Sequence, residues 1–193
     1  MRVRYNAPFT LTFSLACAAV LAANQYLMPS LIRDWFTVGG QGSFHGNDWV
    51  SYVRLVSYTL GHADWAHLYG NLMFIILLGP ILEEKYQTPT LLVMVLITAV
   101  VTGLVNVFFF HTGLVGASGI VLLMILLVSF TNIRAGEIPL TFVAILALYL
   151  GKEVLDAFKN DNISHFAHII GGVCGSIFGF VALRFQDPPS KSA

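Results

Sequence analysis

Gly116-Ala117-Ser118-Gly119 stands at the head of an apolar run that ends near Asn132. As a helix, Ser118 to Asn132 rises only about 22 Å, against a bilayer hydrocarbon core of about 30 Å. If such a helix reaches the far surface, its first hydroxyl sits several ångströms below the near one. Polar groups at that depth are usually functional or paired. A serine between glycines at a helix start is also a nucleophile candidate.

The rest of the chain agrees with a membrane setting. Of 193 residues, 56% are hydrophobic and only 10% charged, and the mean hydropathy is +0.76. Ordinary soluble domains fall well outside that range. The net charge is zero, so no basic surface points to nucleic acid. Cys17 and Cys174 both fall inside apolar segments and read as small core residues rather than a disulfide or metal pair.

Six apolar segments follow one another, at about 8–28, 66–82, 90–111, 118–133, 138–151 and 165–185. All but the fourth and fifth are long enough to span unaided as helices. The expected fold is an all-α polytopic bundle of six transmembrane helices in one domain, 1–185, with a disordered tail at 186–193. The first segment follows Arg2 and Arg4, but it is long for a signal peptide and Ala16-Cys17-Ala18 is a poor cleavage site, so it reads as a retained helix. With the N-terminus inside, the inner flanks hold Arg2, Arg4, Lys85, Arg134, Arg184 and Lys191, and the outer flanks Arg33, Arg54, Lys152 and Lys159. That modest inner excess puts both termini on the cytoplasmic side and Ser118 towards the outer face. Residues 29–65 are rich in aromatics, including Trp35, Trp49, Tyr52 and Tyr58. This composition predicts short helices lying in the outer membrane surface.

Three polar clusters fall at the outer ends of helices. His67 and Asn71 are four apart and share one helix face. His62 either points elsewhere or precedes that helix. The fourth segment opens with Ser118, and the sixth carries His168 near its outer end. Gly171, Gly175 and Gly179 repeat every four residues on the face of His168, a pattern that lets two membrane helices approach closely. Gly116 and Gly119 keep the start of the fourth helix equally slim. Packing the two would bring the Ser118 Oγ within reach of the His168 ring, the nucleophile–base geometry of acyl transfer. Singly, each feature has an ordinary explanation: serine bonding back to its helix, glycines packing helices, His67 and Asn71 gluing neighbours. Their coincidence at one depth on one side is what points to a site.

These stretches resemble the rhomboid intramembrane serine proteases. His62-Ala63-Asp64-Trp65-Ala66-His67-Leu68-Tyr69-Gly70-Asn71 is similar to their HxxxxHxxxN signature, Gly116–Gly119 to their GxSG, and Ala167-His168-Ile169-Ile170-Gly171-Gly172-Val173-Cys174-Gly175 to their AHxxGxxxG. The likeness covers nearly the whole chain and is greatest to the compact bacterial type, here without the cytosolic N-terminal domain that some relatives carry. It implies a bundle with a short central fourth helix and an interfacial first outer loop. It also implies Ser118 as nucleophile and His168 as general base and then acid. The Ser118 N–H, His67 and Asn71 would form the oxyanion hole, with His62 nearby holding the site or its water. Gly116, Gly119, Gly171 and Gly175 are supporting positions. No carboxylate falls within the six proposed spans, so the catalytic unit would be a dyad, with no metal and no cofactor. Implied partners are single-span membrane proteins, the bilayer, and water reaching the site beneath residues 152–164. The implied location is the bacterial inner membrane, with the site open to the periplasmic side. In this family the fifth helix and its cap move to admit substrate.

Two positions depart from the family pattern. Val53-Arg54 stands where a Trp-Arg pair is frequent, and Leu122 where a tyrosine often stacks on the histidine. Two rival readings carry less. A six-helix transporter lacks an inverted repeat and carboxylates within the proposed spans, and a zinc enzyme lacks HExxH. A catalytically inactive relative would keep the fold but lose Ser118 or His168.

Overall fold

The computed structural model describes residues 5–130 and 165–184, with isolated helical positions at 140, 143–144 and 147–148. The expected fifth segment, apart from those positions, the 152–164 connection and the 186–193 tail lie outside the described residues. Within the described residues the chain forms α1 (Pro8–Tyr26), α2 (Leu31–Trp35), α3 (Trp49–Ser57), a 3-10 turn (Tyr58–Leu60), α4 (Trp65–Tyr86), α5 (Thr88–Phe109), α6 (Ser118–Val128) and α7 (His165–Arg184). Of these, α1, α4 and α5 are long and apolar enough to cross a membrane. The expected starts at 8, 118 and 165 coincide with helix starts, while α4 and α5 begin one and two residues earlier than expected.

The centre of the bundle is α6. Every residue from Gly119 to Leu127 is buried, as a helix apolar on all sides requires. It packs on α4, α5 and most extensively α7. Its 11 residues rise about 16 Å, less than the run to Asn132 led one to expect. The regular helix stops where Ser129 and Phe130 switch to shorter bonds, Ser129 N–H to the Leu126 carbonyl at 3.1 Å and Phe130 N–H to the Leu127 carbonyl at 3.0 Å. The Ser129 hydroxyl also bonds back to the Ile125 carbonyl at 3.3 Å, which competes with the helical ladder. Around this core the outward faces are apolar: Met73 and Leu77 on α4, Val93 and Ile97 on α5, Ile177 and Val181 on α7. Exposed apolar area of that extent needs a covering medium, and a bilayer supplies one.

The expected second span stops at residue 82, just short of two carboxylates, Glu83 and Glu84. α4 runs on to Tyr86 and takes in Glu83, which is buried. The N-cap of α1, Ala7, offers no side-chain acceptor, so its first N–H groups need one from elsewhere. Glu83 provides it, accepting from Phe9 N–H (3.0 Å), Thr10 N–H (2.8 Å) and the Thr10 hydroxyl (2.7 Å). The Thr88 hydroxyl at the start of α5 donates to the same carboxylate at 2.6 Å. Gly79, one turn earlier on α4, leaves the space that the Thr10 side chain occupies. Glu83 therefore fastens the ends of three helices together, a structural task rather than an ion-transport one. Glu83→Ala leaves these donors without an acceptor, at a cost of about 3 kcal/mol or more in all. The thermal midpoint in detergent should fall by roughly 6–12 °C, with Glu83→Gln between the two. An unchanged midpoint in Glu83→Ala would show that the cluster is dispensable.

The first long connection, between α1 and α4, folds into α2, α3 and the 3-10 turn. The α2 helix starts with Ile32 N–H donating to the Asn24 side chain at 2.9 Å, and α3 is capped by Asp48, which accepts from Val50 N–H at 3.1 Å. Arg54 ties the two helices by donating from Nε (2.9 Å) and Nη2 (2.5 Å) to the Asp34 carbonyl. Trp49 and Tyr52 remain exposed.

Candidate active site

The contact of α6 with α7 sets the site. Both backbones have small residues where they cross. A Cβ on Gly119 would lie 2.9 Å from the Ala167 carbonyl oxygen, one on Gly175 would lie 2.7 Å from the Leu123 carbonyl oxygen, and one on Gly171 would overlap the Gly119 carbonyl. Gly179 meets the Phe130 ring in the same way. The glycines at every fourth position of α7 thus run along the backbone of α6. Gly119 follows Ser118 and Ala167 precedes His168, so each of those two residues stands one position from this close approach. Both are half-buried. Ser118 is the first residue of α6, where helical N–H groups lack intrahelical acceptors.

The second side of the site comes from α4. Asp64 caps this helix by accepting from the His67 backbone N–H at 2.8 Å, which fixes His67 in the first turn. The His67 ring occupies the space that a side chain at Gly116 would need. A Cβ there would lie 2.7 Å from Cε1 and 2.8 Å from Nε2. Gly116 also has φ +118°, a conformation that only glycine adopts readily. One turn further along α4, Asn71 is buried, and its Nδ2 has no hydrogen-bond partner among the described residues.

His62 resolves an ambiguity in the spacing. It lies before α4, not on it, yet its ring meets that of His67 edge to face, with centroids 5.0 Å apart. Chain reversal at Gly61–Asp64 brings together two rings that helical periodicity would separate. The His62 Nδ1 contacts the Leu60 carbonyl at 3.3 Å, which makes it the protonated nitrogen. The Nε2 is then a buried acceptor without a partner among the described residues. Burial first, and then the neighbouring His67, push the His62 pKa down to about 4, so the ring is neutral at pH 7.

Leu122, one turn after Ser118, is buried. Its Cδ2 would sit 3.2 Å from a Cβ on Gly172, on the α7 turn below His168, so aliphatic packing fills that level. The fifth-segment end of the site lies outside the described residues.

Several inward polar groups escaped the reading of the sequence. Thr98, Thr102 and Asn106 are wholly buried on α5, and Tyr58 donates its hydroxyl to the Ala99 carbonyl at 3.3 Å. The signal was available, because the three α5 residues recur at four-residue intervals in an otherwise apolar helix. The segment that leads into Ser118 is paired with the first long connection. Val38 and Leu114 exchange backbone hydrogen bonds at 3.0 and 2.8 Å, Gln41 N–H reaches the Phe110 carbonyl at 2.6 Å, and Gly116 N–H reaches the Tyr58 carbonyl at 3.0 Å.

The Rhomboid domain model matches residues 50–185. The chain is 26% identical over 177 residues to the protein named rhomboid protease GlpG of Yersinia enterocolitica serotype O:8 / biotype 1B, covering 90% of this chain and 62% of that protein. Proteins of the same name from Yersinia pestis (strain Pestoides F) and Yersinia pseudotuberculosis serotype O:3 (strain YPIII) are each 25% identical with the same coverage. The chain thus spans about 62% of the length of these curated relatives.

Proposed function

The chain belongs to the rhomboid family, and from that premise we propose that it is an intramembrane serine endopeptidase that cuts transmembrane segments of single-span membrane proteins. The observation that supports this is the close approach of Gly119 to Ala167, the chain neighbours of Ser118 and His168. The Ser118 Oγ attacks the scissile carbonyl carbon while His168 takes its proton, then returns it to the leaving amine. Water activated by His168 hydrolyses the acyl-enzyme and frees Ser118. The negative charge on the tetrahedral intermediate faces the Ser118 N–H, the His67 ring and the open Asn71 Nδ2. His62 supports the His67 ring from behind. The unit so read is a dyad of Ser118 and His168.

The location follows from the same reading: the bacterial inner membrane, six spans, both termini cytoplasmic and the site open to the outer side. The α2–α3 connection lies in the outer surface with Trp49 and Tyr52 in the headgroup zone. The slim surroundings of Ser118, among Gly116, Ala117 and Gly119, favour a small residue at the cut. A substrate helix must also unwind to expose its carbonyl, which favours Gly or Pro a few positions inward.

The test is incubation of the purified chain with a panel of single-span membrane proteins, using Ser118→Ala as control. Cleavage by wild type alone supports the reading, and equal cleavage by the control removes it. The oxyanion assignment has its own check. His67→Ala and Asn71→Ala should each lower turnover by roughly 10- to 1,000-fold while Ser118 still accepts an activated-serine probe. Turnover equal to wild type in both variants would reduce the two residues to packing.

A further inference from the structure

Asn106 is wholly buried near the outer end of α5, and both hydrogens of its amide are engaged. Its Nδ2 donates to the Gly39 carbonyl at 3.1 Å and to the Thr112 carbonyl at 3.0 Å. These carbonyls belong to two segments distant in sequence, the first long connection and the segment that leads into Ser118. The same two segments exchange the Val38–Leu114 backbone pair. They approach so closely at Gly40 that a Cβ there would overlap the His111 backbone. From Thr112 only four residues lead to Gly116, whose backbone is wedged against the His67 ring. Any slip of this segment shifts Gly116, Ala117 and the Ser118 N–H against His67 and Asn71.

We propose that Asn106 is a positioning residue, which locks the 112–116 segment to the first long connection and thereby holds the Ser118 N–H in register with His67 and Asn71. The proposal rests on the protease reading and adds a residue that none of the three motifs contains. Asn106 touches no reacting atom. Its effect passes through the backbone, so it should alter the transition state more than substrate binding. A misplacement of about 1 Å at a reacting centre can cost about 100-fold.

The experiment compares wild type, Asn106→Leu and Asn106→Gln as full chains in detergent. Leucine keeps the branched outline, with a larger volume, and removes both donors, whereas glutamine retains the donors. Three quantities are measured: kcat and KM on one cleavable substrate, normalised to folded protein; the thermal midpoint; and amide hydrogen exchange across 112–118. In Asn106→Leu, kcat should fall by about 10- to 100-fold with KM within about threefold, and exchange at 112–118 should quicken while that of α6 beyond Val121 stays the same. Asn106→Gln should recover part of kcat. Unchanged kcat and exchange in Asn106→Leu would overturn the proposal. So would a fall in kcat accounted for wholly by loss of folded protein, with no recovery in Asn106→Gln. A wild-type chain that neither cleaves nor labels at Ser118 would instead sink the protease reading, and the catalytic role of Asn106 with it. Exchange at 112–118 separates the cases, because it reports the lock without activity.

Discussion

Ser118→Ala and His168→Ala are each expected to abolish cleavage, with turnover falling on the order of a million-fold, as happens when one member of a nucleophile–base unit is removed. The double variant should be scarcely worse than either single one, because the two groups act in one step and their losses do not add. Neither substitution enlarges a side chain, and both residues are half-buried, so the helical fold and its melt should persist. Far-ultraviolet circular dichroism and a thermal melt beside the cleavage assay distinguish lost chemistry from lost structure. Substantial cleavage by Ser118→Ala would exclude it as nucleophile. Substantial cleavage by His168→Ala alone would assign the base elsewhere.

The second large effect concerns the crossing of α6 and α7. Gly171→Ala should inactivate by about 100-fold or more although it adds a single methyl group and alters no catalytic atom. The reason is geometric: the new Cβ would overlap the Gly119 carbonyl. A backbone oxygen cannot rotate aside as a side chain can, so the helices must separate. Two neighbours serve as controls. At Gly172 the added Cβ meets the flexible tips of Leu122 and Leu126 at 3.2 Å, and at Gly70 on α4 it meets nothing within 4 Å. Alanine at either position should keep activity near that of wild type. Equal activity in all three variants would mean that α6 and α7 tolerate separation and that the close crossing does not set the catalytic geometry.

The parts of this fold legible in the sequence are those governed by local chemistry. Apolar runs predicted helices beginning at Pro8, Ser118 and His165, and the aromatic connection at 29–65 predicted short helices there. Helix ends were less legible. The second apolar run was expected to end at residue 82, yet α4 continues through Glu83 to Tyr86, and the Glu83 carboxylate meets N–H groups of α1 that lie 73 and 74 residues away in sequence. Contacts of that separation leave no periodic mark. The same limit applies to Asn106 and Gly39, 67 residues apart, and to the pairing of Val38 with Leu114. The His62–His67 contact was hidden for another reason. A spacing of five separates side chains on a helix, but a turn before the helix removes that rule. Motif spacing marked Ser118, His67, Asn71, His168 and the glycines as candidates, because each type is rare or costly where it stands.

The central claim is that Ser118 is made nucleophilic by His168. The most direct measurement treats the folded full chain in detergent with a fluorophosphonate, which reacts with activated serines, and locates the adduct by peptide mass mapping. The account predicts a single adduct on Ser118 in the wild-type chain and its loss in His168→Ala while the melt is retained. An adduct on another serine, no adduct on folded wild type, or equal labelling of Ser118 in His168→Ala would contradict it.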